Sequence, residues 1–310
     1  MQLPFSIKKY FSYIWTTLFY HLSKFFWMSE RREYAIRESF YRTYRKVFKN
    51  GVRDMQNSND KTSDENIIKI CSWNIHRGFD TKRNYRLYDA VNYFKHQEFD
   101  IICLQESNND IHTIDDIEIN NSLFLAKALN YNVYYKHDLT ILSKYPIGEE
   151  RSYTERLLKN SFGNHRITVK ATINNKVVTF SNYHLNNDIF GYEQNYCIND
   201  GMFNNMILEH NQQKIPLVIC GDFNSVGWFS GIGKIREMLG YDKNNSKLKR
   251  DPTYPSSYPI LKLDEIYTNS RLIEYRLEIL ETYVDYCNRL SDHHPLISII
   301  RLNEPIQDNK

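Results

Sequence analysis

Six places in the chain combine side chains able to act on an electrophile with a position beside an apolar run. Asn74 follows the run 67–73, Glu106 follows 101–104, and His184 follows 176–183. Asp222 and Asn224 follow 215–220, Asp264 lies in 260–267, and Ser291-Asp292-His293 precedes 295–300. Residues two apart at a strand end project to the same side, and such ends are where chemistry is usually placed. Taken alone, Gly221-Asp222-Phe223-Asn224-Ser225 is equally a polar turn, since Gly, Asp, Asn and Ser all favour turns. Chance accounts for one or two polar strand ends; six imply a shared cleft rim.

Asn74, Glu106, Asp222, Asn224, Asp264 and Asp292 offer hard oxygen atoms, and no cysteine joins them. Such a set selects Mg2+ or Mn2+ over zinc or copper. Magnesium keeps several waters and takes one or two carboxylates plus substrate phosphate, which makes a phosphate ester the expected substrate. His184 and His293 add proton donors near neutral pH, or stabilisers of developing negative charge. A lone histidine is more often structural, but two beside carboxylates shift the balance toward function.

The elements that must position these residues read as a layered α/β domain from residue 67 onward. Strands are expected at 67–73, 101–104, 133–135 and 139–142, the last two separated by Lys136-His137-Asp138. The runs 166–173 and 176–183 flank Asn174-Asn175 as a hairpin, and 215–220, 260–267 and 295–300 complete the strands. Helical spacing occupies 88–94, 123–129 and part of 192–209.

In order, the segments Ser72-Trp73-Asn74-Ile75, Asp100-Ile101-Ile102-Cys103-Leu104-Gln105-Glu106, Ile141-Leu142-Ser143-Lys144-Tyr145-Pro146-Ile147, Asn182-Tyr183-His184-Leu185, Gly221-Asp222-Phe223-Asn224-Ser225, Leu263-Asp264-Glu265-Ile266 and Ser291-Asp292-His293-His294-Pro295-Leu296 resemble the endonuclease/exonuclease/phosphatase superfamily, also called deoxyribonuclease I-like. The resemblance covers about residues 67–302, and its specificity is collective, since each piece alone is weak. It implies a four-layer α-β-β-α sandwich of the α/β class with two mixed β-sheets. It further implies that Glu106 is the principal metal carboxylate, with Asn74 and Asp292 beside it. Asp222 would orient or deprotonate the attacking water, and Asn224 would hold a phosphate oxygen. His184 and His293 would stabilise the pentacovalent phosphorus, with Asp264 orienting His293. Two departures stand out: Asp138-Leu139-Thr140 replaces the usual Gly-Asn-Ala lead-in, and Tyr183 precedes His184 where Thr is usual. Thr253-Tyr254-Pro255-Ser256 resembles a Thr-aromatic-Pro-Ser loop of compact bacterial members.

Outside the resemblance, residues 1–53 read as a basic, aromatic-rich helical extension, 54–66 as a polar linker and 303–310 as a tail. Residues 1–60 hold 11 Lys/Arg and 5 Asp/Glu, a net of +6 within a total of +3, so residues 61–310 carry −3. A nucleic-acid groove ordinarily needs positive surface of its own. Phe11, Ile14, Leu18, Leu22 and Phe25 form one helical stripe flanked by Lys8, Lys9, Arg31 and Arg32. That pattern suits peripheral membrane contact through residues 8–49, or equally a helix packed on its own domain or on a partner. Lys24, His21 and the hydroxyl residues make the run a poor membrane span, and no cleavage pattern of a signal peptide follows it. Five cysteines, three of them in apolar runs, point to the cytoplasm or another reducing compartment, with no disulfide framework and no zinc-type spacing.

The resulting expectation is a metal-dependent phosphoesterase that hydrolyses a phosphodiester or phosphomonoester by in-line water attack. The cofactor is Mg2+, with Mn2+ as substitute, and the substrate a lipid headgroup or another membrane-proximal ester. A Mg-dependent nuclease is the alternative. A catalytically inactive binding module is the third reading, disfavoured because all six positions keep competent residue types.

Overall fold

The computed structural model describes residues 66–107, 109, 112–114, 117–155, 164–186, 203–225, 232–239, 251–269, 277–286 and 288–303. The expectations for the N-terminal extension and for nearly all of the linker and tail lie outside these residues.

Two sheets face each other. The first has six strands, in the order β12 (Leu277–Val284), β13 (Leu296–Leu302), β1 (Ile67–Asn74), β2 (Ile101–Gln105), β6 (Leu139–Ser143) and β5 (Asn132–Lys136). The second has five, in the order β11 (Asp264–Thr268), β10 (Leu217–Asp222), β9 (Lys176–His184), β8 (Asn164–Ile173) and β7 (Ile147–Glu155). Both are mixed: β1 runs parallel to β2 and β9 parallel to β10, while their other pairings are antiparallel. A two-stranded ribbon joins β3 (His112–Ile114) to β4 (Ile117–Ile119).

The near-continuous apolar runs of β1, β2, β6 and β10 follow from burial on both faces. Between the sheets lie Ile68, Ile70, Ile101, Cys103, Val169, Phe180, Val218 and Ile266. The outer face of the first sheet packs Trp73, Phe99 and Leu104 against α1 (Leu87–Gln97) and α2 (Asn121–Leu129). The outer face of the second packs Tyr183, Ile219 and Tyr267 against α3 (Asn204–Gln212) and α4 (Ile232–Met238). These layers give the expected α-β-β-α sandwich. Each fully buried aliphatic or aromatic side chain contributes roughly 1.5–3 kcal/mol, against up to about 1 kcal/mol for an exposed ion pair. The rigidity behind the cleft therefore comes from these three apolar layers.

Several boundaries differ from expectation. The run 260–267 is only half strand: β11 begins at Asp264, whereas Ile260 is exposed and Leu261 bridges back to Tyr254. Asp264 thus opens its strand instead of ending it, because β11 is antiparallel to β10. β7 and β12 occur where no strand was expected; both are sheet edges with partly exposed faces and an irregular register. The helix expected within 192–209 appears as α3, displaced toward the C-terminus. Asn120 caps α2 by accepting from the Leu123 amide, and Asn130 ends it in a left-handed conformation. Among the described residues no helix is long and apolar enough to cross a membrane.

Candidate active site

The second sheet carries one polar rung across all five strands. Thr154, His165, His184, Asp222 and Asp264 are successive register partners from β7 to β11. The next rung inward, Ile167, Asn182, Cys220 and Ile266, is mostly apolar. Side chains alternate along a strand, so the upper rung projects into the space between the sheets at their open end.

Gly221 explains how Asp222 reaches this position. Its φ is +145°, and a Cβ there would lie 2.1 Å from the Tyr183 carbonyl oxygen of β9. Only glycine allows that approach. Asn224, at φ 48°, donates its backbone N–H to Asp222 Oδ1 over 2.8 Å and its side-chain amide to the Leu185 carbonyl over 2.9 Å.

Asp222 is buried between two histidines. His293 Nε2 lies 3.6 Å and His184 Nε2 4.0 Å from Asp222 Oδ2. Each histidine is backed by a second carboxylate. His293 Nδ1 donates to Asp264 Oδ2 over 2.9 Å, and His184 Nδ1 donates to Asp138 Oδ2. Burial pulls the His293 pKa down, but the Asp264 and Asp222 carboxylates outweigh it and raise the group to about 10. Burial likewise opposes charging of His184, and the Asp138 hydrogen bond and charge lift it to about 9. Asp222 moves to about 6: burial pushes it up and His293 partly offsets this. Asp138, though burial pushes it up, is held below the usual carboxylate range by His184.

The first sheet supplies the other wall. Asn74 Nδ2 donates to Glu106 Oε1 (3.1 Å) and to Asp222 Oδ2 (3.0 Å), linking the two sides of the cleft. Asp292 sits in the turn before β13, its Oδ1 accepting from Ser291 Oγ (3.2 Å), which also donates to the Asn74 carbonyl (2.7 Å). Glu106 and Asp292 are half-buried, and among the described residues neither pairs with a lysine or arginine. Asp222, Asp264 and His293 also bring ligand-type atoms within 4.8 Å of one another.

All eight residues singled out from the sequence therefore gather at one end of the sandwich. Two others belong with them. Asp138 had read only as a break between strands, and its departure from the Gly-Asn-Ala pattern was the available signal. Tyr254 packs against His293 with ring centroids 4.8 Å apart and planes tilted by 45°. Burial and the fields of Asp292, Asp222 and Glu106 push its hydroxyl up to about 12. Its loop is tied to the Ser291–His293 turn by Ser256, whose N–H and Oγ donate to the Asp292 and Ser291 carbonyls, both at 2.6 Å.

Comparison with known proteins agrees with this architecture. An endonuclease/exonuclease/phosphatase from Beutenbergia cavernae superposes with a TM-score of 0.59 at 14% identity, covering 77% of this chain and 72% of that one. The mannosyl-6-phosphatase Bt3783 of Bacteroides thetaiotaomicron gives 0.55 at 14% identity, over 74% and 98%. Truncated TDP2 of Caenorhabditis elegans gives 0.52 at 16% identity, over 76% and 98%. At such identities these likenesses speak for the fold alone. No curated protein matches the chain significantly. The match that reaches the sequence itself is to a family model spanning residues 71–293, from within β1 to His293, and by it the chain belongs to the Endonuclease/Exonuclease/phosphatase family.

Proposed function

We propose that the chain is a metal-dependent hydrolase of phosphate esters, acting by in-line attack of water on phosphorus. Members of its family are hydrolases of this class. The observation that carries the reading is Asp222 set between two histidines, each with its own carboxylate, opposite the Asn74, Glu106 and Asp292 wall.

In this reading Asp222 accepts the proton of the attacking water. A pKa of about 6 keeps it ionised at neutral pH yet makes it a better base than an ordinary aspartate. His184 and His293 remain protonated at that pH and meet the negative charge that develops on the phosphoryl oxygens. Asp138 and Asp264 hold the rings in place and supply the counter-charge that keeps the imidazoliums buried. Asn224, beside Asp222, contacts a phosphate oxygen.

The donor chemistry decides where a cation fits. Asp222 and Asp264 already share the protonated His293, and Asp264 is fully buried, which leaves no room for an ion that keeps its waters. Glu106 and Asp292 are half-buried and, among the described residues, pair with no lysine or arginine, and we assign Mg2+ or Mn2+ to them with Asn74. When bound, the ion supplies Lewis-acid stabilisation of phosphoryl charge.

For substrate, the net charge of −3 over residues 61–310 favours a compact phosphate ester, such as a lipid headgroup, over a nucleic acid. Peripheral membrane contact through residues 8–49 belongs to the same proposal. Hydrolysis of sphingomyelin, phosphoinositides, plasmid and single-stranded nucleic acid, each with Mg2+ and with chelator, tests it. Lipid turnover abolished by chelator is expected; plasmid cleavage without lipid cleavage would make the protein a nuclease instead. Flotation with anionic liposomes tests the N-terminal segment, and a full-length protein that stays at the bottom of the gradient removes that part.

A further inference from the structure

Beyond Asn74 the chain leaves β1 through a conformation that side chains avoid. His76 and Arg77 both have positive φ, 45° and 59°, and Glu106 opposite them has 50°. Such residues persist only where the surroundings impose them. The Arg77 N–H donates to the Glu106 carbonyl over 2.8 Å, Asn121 Nδ2 donates to the Arg77 carbonyl over 3.0 Å, and the His76 N–H donates to Asn74 Oδ1 over 3.0 Å.

The outcome is an imidazole placed beside Asp292. His76 Nδ1 lies 3.9 Å from Asp292 Oδ1. The side chain is 39% exposed, yet this nitrogen is itself buried and has no hydrogen-bond partner. The interval is too long for a hydrogen bond. It suits two donors that share one ion, because ligand atoms each about 2.1 Å from a divalent cation stand at most about 4.2 Å apart. A buried polar atom left without a partner costs stability unless something fills the gap.

We propose that His76 contributes an imidazole nitrogen to the cation site of Asn74, Glu106 and Asp292, and that the site therefore prefers Mn2+ to Mg2+. The inference rests on the metal-dependent reading above. Oxygen donors suit both ions, but Mn2+, at the start of the first-row series, also takes an imidazole nitrogen, from which Mg2+ gains little.

Mn2+ bound to the full-length protein reports directly on nitrogen ligands through electron spin-echo modulation. The expected result is histidine 14N modulation in the wild type that disappears in His76→Gly, a replacement that removes the donor and suits the positive φ. His76→Asn, which also tolerates that backbone, guards against a folding defect, and its imidazole signal should vanish as well. Mg2+ competition supplies the second readout: the Mg2+ concentration that displaces half of the Mn2+ should fall about tenfold in His76→Gly. Nitrogen modulation that persists in both variants, or unchanged competition, overturns the inference while leaving a metal enzyme. A wild-type protein that binds no Mn2+ overturns the metal reading and this inference together.

Discussion

The two carboxylate–histidine pairs bridge the sandwich in opposite senses. In one, the acid comes from the second sheet and the base from the first: Asp264 opens β11 and His293 precedes β13. In the other, Asp138 precedes β6 of the first sheet and His184 ends β9 of the second. Burial separates them. The Asp264 side chain is wholly enclosed, whereas Asp138 is 20% exposed in a turn. Similar carboxylate–histidine geometry can thus be built from a strand or from a loop, with different costs of breaking it. The strand-borne pair is tied to folding, and the loop-borne pair leaves more room for tuning.

The largest expected effect removes what the pairs share. Asp222→Asn should lower kcat by about 10²–10⁴ with the fold retained by circular dichroism. Wild-type turnover in that variant would sink the proposed mechanism. Breaking the pairs one at a time then compares them. Asp264→Ala strands a protonated buried histidine and should cost about 3–5 kcal/mol in urea unfolding near pH 6. Asp138→Ala should cost clearly less, and equal losses would erase the distinction. Both histidines have raised native pKa values, so each contribution is complete below the ordinary histidine pKa. It is lost as pH rises through about 10 for His293 and about 9 for His184.

Asp138→Asn sharpens the catalytic side of the comparison. Loss of the carboxylate lowers the His184 pKa, so the protonated form disappears at lower pH. The alkaline limb of kcat/KM should move down from about 9 by about one pH unit or more. An unmoved limb would mean that His184 does not act protonated. The smallest effect is expected from Tyr254→Phe, which keeps the ring against His293 and should change kcat by no more than about twofold.

Much of the candidate site was legible because the polar residues at strand ends stand beside runs whose burial is written in their composition. Glu106 follows β2, while Asp222 and His184 are the last residues of β10 and β9. Asp138 was not legible, since its partner lies 46 residues away on the other sheet and a carboxylate in a turn has an ordinary solvent reading. Asp264 is legible from the sequence, but the apolar run suggests a longer strand than β11, because Ile260, Leu261 and Leu263 look like strand residues although they belong to the Tyr254 loop. β7 is not legible for the opposite reason. At the sheet edge it needs no apolar face, and Gly148-Glu149-Glu150-Arg151 offers none.

Beneath the polar rung, Asn182 of β9 is fully enclosed and fastened to the opposite sheet. Its amide donates to the Leu104 and Thr140 carbonyls over 2.8 and 3.0 Å, and its oxygen accepts from Gln105 Nε2 over 2.7 Å. Gln105 precedes Glu106, and Asn182 stands two residues before His184. Apolar contacts between sheets are indifferent to small sliding motions, whereas hydrogen bonds are directional. Asn182 thus works as a shear pin. A slip of one residue, about 3.4 Å, would carry Glu106 away from Asp222, and this clasp resists that slip two residues short of the chemistry.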